Sequence, residues 1–214
     1  MFPLYDESFH SRKLPYITIF LILLNVFIFL MTYLGPDFEK AVFEYGTVPS
    51  RILKGEGVFT LITSMFLHAG FLHLIGNMWF LWLFGDNVEH NLGKMKFVIF
   101  YFLCGVLAGL FHIFLASGAE INIPTIGASG AISGLLGGYL ILYPKNKIRA
   151  FFLVLFTPII FSVPAFFYIG IWFLYQFLSA GTPSSVAYFA HIGGFVAGMI
   201  LVLSLRKKIV KKGY

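Results

Sequence analysis

Charged residues are scarce in this sequence, and their scarcity excludes several classes of protein. Only 11% of the 214 residues are Asp, Glu, Lys or Arg, whereas a typical soluble domain carries about 25%. Hydrophobic residues make up 59% of the chain and its mean hydropathy is +0.88. So few charges cannot cover the surface of a water-soluble globular domain, and they do not suit a disordered chain or a coiled coil. The composition predicts an integral membrane protein.

Cysteine and the common cofactor motifs are also nearly absent. The single cysteine, Cys104, excludes an intrachain disulfide framework. The chain has no Walker loop, no dinucleotide fingerprint and no His-Glu-x-x-His sequence, so we predict neither a nucleotide, a metal nor another cofactor.

Long runs without charge predict the membrane spans, since a helix needs about 20 apolar residues to cross a bilayer. Residues 150–205 carry no charge but are too many for one span, and the turn-forming stretch 180–185 (AGTPSS) divides them. Pro158 and Pro164 indicate that residues 150–162 lie at the interface or are broken. We therefore predict one all-α membrane domain over residues 1–214 with six transmembrane helices, at about 14–34, 69–85, 97–115, 127–143, 162–179 and 186–205.

The distribution of basic residues predicts the orientation of these spans. Six spans leave both termini on one side, and that side would hold 12 of the 15 basic residues. The positive-inside rule therefore predicts a multi-pass protein of the cell membrane with both termini cytoplasmic (N-in/C-in). The basic cluster 206–212 would contact anionic lipid rather than nucleic acid. The outer loop 35–67 is too long for a plain connector and is expected to fold partly or to dip into the membrane. The basic residues on the predicted cytoplasmic side are Arg12, Lys13, Lys94, Lys96, Lys145, Lys147, Arg149, Arg206, Lys207, Lys208, Lys211 and Lys212.

A few polar side chains fall inside the predicted spans, where their cost makes them candidates for function. At about 1.5 Å per helical residue, three of them from three helices reach a similar depth, roughly 20–24 Å from the cytoplasmic ends. These three are His73, Ser129 and His191, and His112 of the third predicted span reaches a similar depth, so depth alone does not exclude it. The full set is His68, His73, Asn77, His112, Ser129, Ser133 and His191.

Small residues predict which helices approach closely. The fourth span is rich in glycine, and the sixth carries Ala190, Gly194 and Gly198 at four-residue spacing. His191 shares a helical face with Gly194 and Gly198, so close packing would bring it toward the fourth span and Ser129. The glycines of the fourth span are Gly127, Gly130, Gly134, Gly137 and Gly138.

A hydroxyl beside an imidazole is the minimum for an activated nucleophile, so Ser129 and His191 form a candidate dyad. No span contains the carboxylate that usually completes a triad. His73 and Asn77, at i and i+4, could donate hydrogen bonds to an oxyanion together with the backbone N–H of Ser129. The alternatives are structural: a serine that bonds its own helix, glycines that only pack, and an asparagine that bridges helices. The spacing of His68 and His73 fits a metal site poorly.

Four short sequences resemble the rhomboid intramembrane serine proteases. GASG at 127–130 resembles the nucleophile motif, AHIGG at 190–194 with Gly198 is similar to the histidine helix, and HLIGN at 73–77 resembles the His-xxx-Asn of oxyanion stabilisation. EHNLG at 89–93 resembles the family's Glu-xxx-Gly, which implies structural roles for Glu89 and Gly93. Two features depart from the family: Phe59-Thr60 stands where many members have Trp-Arg, and Ser133 stands where an aromatic often packs on the histidine.

The resemblance implies a serine endopeptidase that cleaves transmembrane helices near the outer membrane face. Ser129 and His191 would be catalytic, His73 and Asn77 would hold the oxyanion, and Gly127, Gly130, Gly134, Gly194 and Gly198 would be structural. Its partners would be the lipid bilayer and transmembrane protein substrates, with no oligomeric state predicted. Two other functions stay open: a catalytically inactive member that binds membrane clients, and a small transporter with histidine-lined polar sites.

Overall fold

The computed structural model describes residues 2–7, 14–154, 157–182 and 184–206. Its helices, in chain order, are α1 (Tyr16–Tyr33), α2 (Phe38–Tyr45), α3 (Pro49–Ile52), α4 (Thr60–Thr63), α5 (Phe71–Leu92), α6 (Lys94–Leu115), α7 (Ser129–Leu142), α8 (Ala165–Ser179) and α9 (Tyr188–Leu205). Its strands are β1 (Phe2–Asp6), β2 (Lys147–Val154) and β3 (Thr157–Pro164), and 3-10 turns occupy Ser64–Phe66 and Gly118–Asn122.

Each of the six predicted spans overlaps one helix of this structure: α1, α5, α6, α7, α8 and α9 in turn. Within the described residues, α1, α6 and α9 are long and apolar enough to cross a membrane. A fourth candidate is α5 together with residues 60–66, a pair bent by 98°, and α7 and α8 are shorter apolar helices. The chain is therefore predominantly helical with several apolar candidate spans. The six-span count and the orientation stay predictions, and Arg12, Lys13, Lys207, Lys208, Lys211 and Lys212 lie outside the described residues.

The all-α prediction is wrong for the segment between α7 and α8, which forms an antiparallel hairpin of β2 and β3. Strand β1 pairs with β2 on the other side, so the sheet order is β1-β2-β3. Burial along the start of β2 alternates, since Ile148 and Ala150 are buried while Lys147 and Arg149 are exposed. This period of two belongs to a strand with one face on the core. Pro164 ends β3 and precedes α8.

Strand β1 is anchored to the helical bundle by buried polar contacts. The carboxylate of Asp6 accepts hydrogen bonds from Asn87 Nδ2 at 2.8 Å and from the Tyr139 hydroxyl at 2.6 Å. The indole of Trp79 donates to the carbonyl of Pro3 at 2.7 Å. These contacts give the N-terminal segment a fixed place against α5 and α7.

Glu89, near the end of α5, caps the beginning of α1. Its carboxylate is 4% exposed and accepts the backbone N–H of Ile17 at 3.0 Å and that of Thr18 at 2.8 Å. The first N–H groups of a helix have no partner within the helix, so a buried carboxylate stabilises them. Gly93 follows with a φ of +81° between α5 and α6, a conformation that favours glycine.

Glycines bring α6, α7 and α9 into backbone contact. A Cβ added at Gly194 of α9 would overlap the carbonyl oxygen of Gly130, and one at Gly198 would overlap that of Gly134. A Cβ at Gly130 would lie 2.8 Å from the Cβ of Ala108 on α6. Only hydrogen fits at these positions, so α9 packs directly against the start of α7.

The loop 35–67, predicted to lie on the outer side, is folded into α2, α3, α4 and the turn Ser64–Phe66. The hydroxyl of Thr47 donates to the carbonyl of Thr60 at 2.8 Å, which ties the loop together internally. Phe59 is 54% exposed at its surface. The loop is thus structured although it lacks the Trp-Arg pair of many family members.

Candidate active site

Ser129 is the first residue of α7, and the chain before it is held by backbone contacts. The N–H of Gly127 donates to the carbonyl of Ser64 at 2.9 Å, and Thr47 and Thr125 exchange two backbone hydrogen bonds. Gly127 has a φ of +121°, a conformation that side-chain-bearing residues rarely adopt. The folded outer loop therefore determines where α7 begins and where Ser129 lies.

His191, in the first turn of α9, lies directly beside Ser129. The distance between His191 Nε2 and Ser129 Oγ is 2.8 Å. The glycine contacts between α7 and α9 hold the two helices at the separation that this contact needs. A serine and a histidine at hydrogen-bond distance are the arrangement of a nucleophile and its general base.

The other ring nitrogen of His191 contacts Gln176, a residue of α8 that the sequence analysis did not single out. His191 Nδ1 lies 2.8 Å from Gln176 Oε1, and Gln176 Nε2 donates to the carbonyl of Trp172 at 3.3 Å. Gln176 is the only glutamine in the chain and stands within an apolar run. A single polar residue within an apolar run was the feature of the sequence that could have identified Gln176 as a candidate site residue.

Aromatic rings complete the surroundings of His191. The ring of Trp172 lies 6.2 Å from the imidazole, centroid to centroid, and that of Tyr188 lies 6.4 Å away. Ser133, where many family members have an aromatic, donates instead to the carbonyl of Ser129 at 2.6 Å. Apart from the contact with Ser129, the side chains that orient the histidine therefore come from α8 and α9.

His73 lies close to the start of α7 and Asn77 lies one turn further along α5. A Cβ built on Gly127 would be 2.8 Å from His73 Nε2 and 3.8 Å from Ser129 Oγ. The N–H of Ala69 donates to His73 Nδ1 at 3.3 Å, so the proton of the neutral ring belongs on Nε2. Asn77 donates to the carbonyl of His73 at 2.8 Å, which uses one of its two amide hydrogens.

The beginning of α7 adds backbone donors to this region. Ala128 precedes the helix and no side chain caps it. The first N–H groups of a helix lack partners within the helix and carry its positive dipole end. The N–H of Ser129 is one of these groups, and it suits an oxyanion that forms beside the Ser129 hydroxyl.

Two further histidines lie near the site without joining the dyad. His68 is fully buried and its ring meets that of His73 at 5.0 Å between centroids. His112 lines a cavity beside Ser129 together with Thr47 and Ser64. Among the described residues, no group of three or more His, Cys, Asp or Glu side chains is arranged to hold a metal ion.

Comparison with known proteins places the whole site in one family. The family model described as the Rhomboid domain matches residues 55–208, a range that contains α5 to α9 and every residue of the candidate site. The chain belongs to the rhomboid family. The rhomboid identity inferred from the four short sequences is therefore confirmed.

Individual rhomboid relatives cover most of this chain. It is 31% identical over 158 residues to Rhomboid protein 1, mitochondrial, of Saccharomyces cerevisiae, covering 72% of this chain and 43% of that protein. It is 28% identical over 174 residues to Rhomboid-like protease 3 of Toxoplasma gondii, covering 80% of this chain and 60% of that protein. The chain is 29% identical over 170 residues to Inactive RHOMBOID-like protein 8 of Arabidopsis thaliana, covering 77% of this chain and 43% of that protein. The chain thus spans about half the length of these relatives, and the family includes both proteases and inactive members.

Proposed function

We propose that this rhomboid is an intramembrane serine endopeptidase that cleaves transmembrane helices with a Ser129–His191 dyad. The observation that carries the proposal is the 2.8 Å contact between His191 Nε2 and Ser129 Oγ. Both groups are held by packed helices, so the contact needs no rearrangement before substrate binds. An orientation that is already in place reduces the entropic cost of reaching the transition state.

The reaction would proceed by acyl transfer. The hydroxyl of Ser129 attacks the peptide carbonyl while His191 Nε2 takes its proton, and His191 returns that proton to the leaving amine. A water molecule, activated by the same imidazole, then hydrolyses the acyl-enzyme. The cavity lined by His112, Thr47 and Ser64 beside Ser129 supports a route for this water.

The oxyanion would be held by three donors at the start of α7. His73 presents Nε2–H, because its Nδ1 accepts from Ala69. The N–H of Ser129 and the second amide hydrogen of Asn77 complete the set. Preorganised donors of this kind are typically worth about 10²–10³-fold in kcat each.

The placement in the membrane is part of the proposal. We infer six spans with both termini cytoplasmic in the cell membrane, which would put Ser129 nearer the outer face. Substrates would be transmembrane proteins, and a helical substrate must unwind locally to expose its carbonyl, because the intact helix hydrogen-bonds that group. Helix-weakening residues near the outer face would therefore favour cleavage.

The test is cleavage of a model transmembrane substrate by the purified chain in liposomes. We expect product from the wild type and none from Ser129→Ala or His191→Ala. The matched control is Ser204→Ala, an exposed serine near the end of α9, which should cleave like the wild type. Cleavage that persists in Ser129→Ala would refute the mechanism.

A client-binding function without catalysis is the second candidate, because one relative is named an inactive rhomboid-like protein. It would be favoured if the wild type cleaves none of several substrates with weakened helices but retains one of them in co-purification. Transport is the third function, and substrate-dependent proton flux in the same liposomes would support it.

A further inference from the structure

We propose that Gln176 is a positioning residue that fixes the tautomer and ring orientation of His191. The proposal rests on the proposed protease function, since it assigns Gln176 the task of preparing the general base. Gln176 is 4% exposed and stands on α8, a helix that supplies neither Ser129, His191 nor an oxyanion donor.

The contacts of the Gln176 amide determine which atom faces the imidazole. Its Nε2 donates to the carbonyl of Trp172, one turn earlier on α8, at 3.3 Å. A carbonyl only accepts hydrogen bonds, so the amide nitrogen must face Trp172 and the amide oxygen must face His191. The reverse orientation would set two oxygen acceptors against each other.

The orientation of the amide in turn determines where the imidazole proton lies. An amide oxygen 2.8 Å from His191 Nδ1 requires a hydrogen on that nitrogen. The neutral ring then carries no hydrogen on Nε2, the atom that lies 2.8 Å from Ser129 Oγ. Gln176 therefore selects the tautomer in which His191 can accept the serine proton.

A neutral amide suits this position better than the carboxylate of a triad. An ionised side chain inside the membrane is costly, whereas an amide whose groups are both hydrogen-bonded is tolerated. The amide orients the ring and supplies no negative charge to stabilise the imidazolium. Gln176 thus performs the positioning task of a triad carboxylate without its electrostatic task.

Other contacts hold α8 against α9, so the role of Gln176 can be separated from packing. The rings of Phe173 and Phe195 stack at 4.4 Å between centroids, and Trp172 meets Phe195 at 6.2 Å. These apolar contacts do not involve Gln176. A variant that loses the amide should therefore keep α8 in place and lose only the orientation of His191.

The test compares Gln176→Leu, which removes the amide, with Gln176→Glu, which keeps an oxygen acceptor of the same length. Loss of one orienting hydrogen bond should lower kcat about 10-fold in Gln176→Leu, with KM little changed. In Gln176→Glu the neutral acid can still offer an oxygen acceptor to His191 and an O–H donor to the Trp172 carbonyl, so this variant should stay within about 3-fold of the wild type. Leu178→Ala, which changes a 70% exposed residue of the same helix, is the control and should match the wild type.

A second readout reports the tautomer without relying on activity. The ¹⁵N NMR spectrum of the imidazoles, with the His191 signal identified by its loss in His191→Ala, should show a protonated Nδ1 and a bare Nε2 in the wild type. Gln176→Leu should shift this signal toward a mixture of tautomers, and Gln176→Glu should restore it. If Gln176→Leu does not fold, Gln176→Met takes its place.

The outcomes separate the two proposals. An unchanged tautomer and kcat in Gln176→Leu would overturn the role of Gln176 while leaving the dyad intact. A wild-type spectrum with the proton on Nε2 would overturn both, because that nitrogen could then not accept the serine proton. Turnover that survives in Ser129→Ala would overturn the protease mechanism. The ¹⁵N NMR spectra would then still test whether Gln176 fixes the tautomer of His191.

Discussion

Replacement of Gly194 by alanine tests how the packing of α9 on α7 positions the dyad. The new Cβ would overlap the carbonyl oxygen of Gly130 and would also lie 3.2 Å from the Cβ of Ala108. A carbon and an oxygen normally stay about 3.3 Å apart or more, so α9 must move away by about 1 Å. Overpacking of this kind costs about 1–3 kcal/mol of the free energy of unfolding.

The displacement would reach the site because His191 lies one turn before Gly194. A shift of about 1 Å takes the 2.8 Å contact between His191 Nε2 and Ser129 Oγ beyond hydrogen-bond distance. A misplacement of that size can lower turnover about 100-fold. We therefore expect Gly194→Ala to lose both stability and activity.

The assay measures chemical unfolding in detergent and turnover of a transmembrane substrate on the same preparations. Gly170→Ala is the matched control, because a Cβ at this exposed position of α8 would meet no atom within 4 Å. The control should turn over like the wild type and be at least as stable, because alanine favours a helix interior over glycine by about 0.5–1 kcal/mol. Wild-type stability and turnover in Gly194→Ala would refute the reasoning, because the helices would then have room for a methyl group.

Two further predictions concern the end of the bundle at which α5 ends and α1 begins. Glu89→Ala leaves buried N–H groups at the beginning of α1 without an acceptor, so the free energy of unfolding should fall by about 2–4 kcal/mol. Chemical unfolding measures this loss, exposed Glu56→Ala is the control, and equal stability of the two variants would contradict the cap. The hydrogen bond from Arg149 lowers the pKa of Glu7, with a smaller effect of the Ser162 hydroxyl. The pairing is therefore present at neutral pH and is lost as the pH falls through that lowered pKa. In Arg149→Gln the pKa of Glu7 should rise toward its ordinary value in a ¹³C NMR titration, and an unchanged pKa would contradict the pairing.

The helices and the family could be predicted from the sequence because their signals are local. Charge-free runs mark the helices, and a single residue type at four-residue spacing, as in Gly194 and Gly198, marks the face that packs closely. The short sequences around His73, Ser129 and His191 identified the rhomboid family, which the family model confirms. The catalytic roles of these residues stay predictions.

The sheet could not be predicted in the same way, because its pairing joins distant parts of the chain. Phe2 of β1 lies opposite Phe151 of β2, and nothing in either local sequence identifies the other. The run after Arg149 also lacks charge, so its apolar content resembles that of a membrane helix. Short apolar runs do not distinguish strand from helix by pattern alone.

The contact of Gln176 with His191 was hidden for a different reason. One polar residue in an apolar helix has no periodicity, and its partner depends on how α8 is rotated and where it crosses α9. Because Ser133 stands where an aromatic often packs on the histidine, the orientation of His191 must come from another residue. The residue that supplies it is visible only when the helices are packed.

Covalent labelling of Ser129 tests the central claim, that His191 activates this serine, most directly. The purified chain is treated with a fluorophosphonate, which reacts with activated serine hydroxyls, and the modified residue is located by mass spectrometry. We expect a label on Ser129 in the wild type and in Ser204→Ala, and none in His191→Ala. A label on another serine, or equal labelling of Ser129 in His191→Ala, would contradict it.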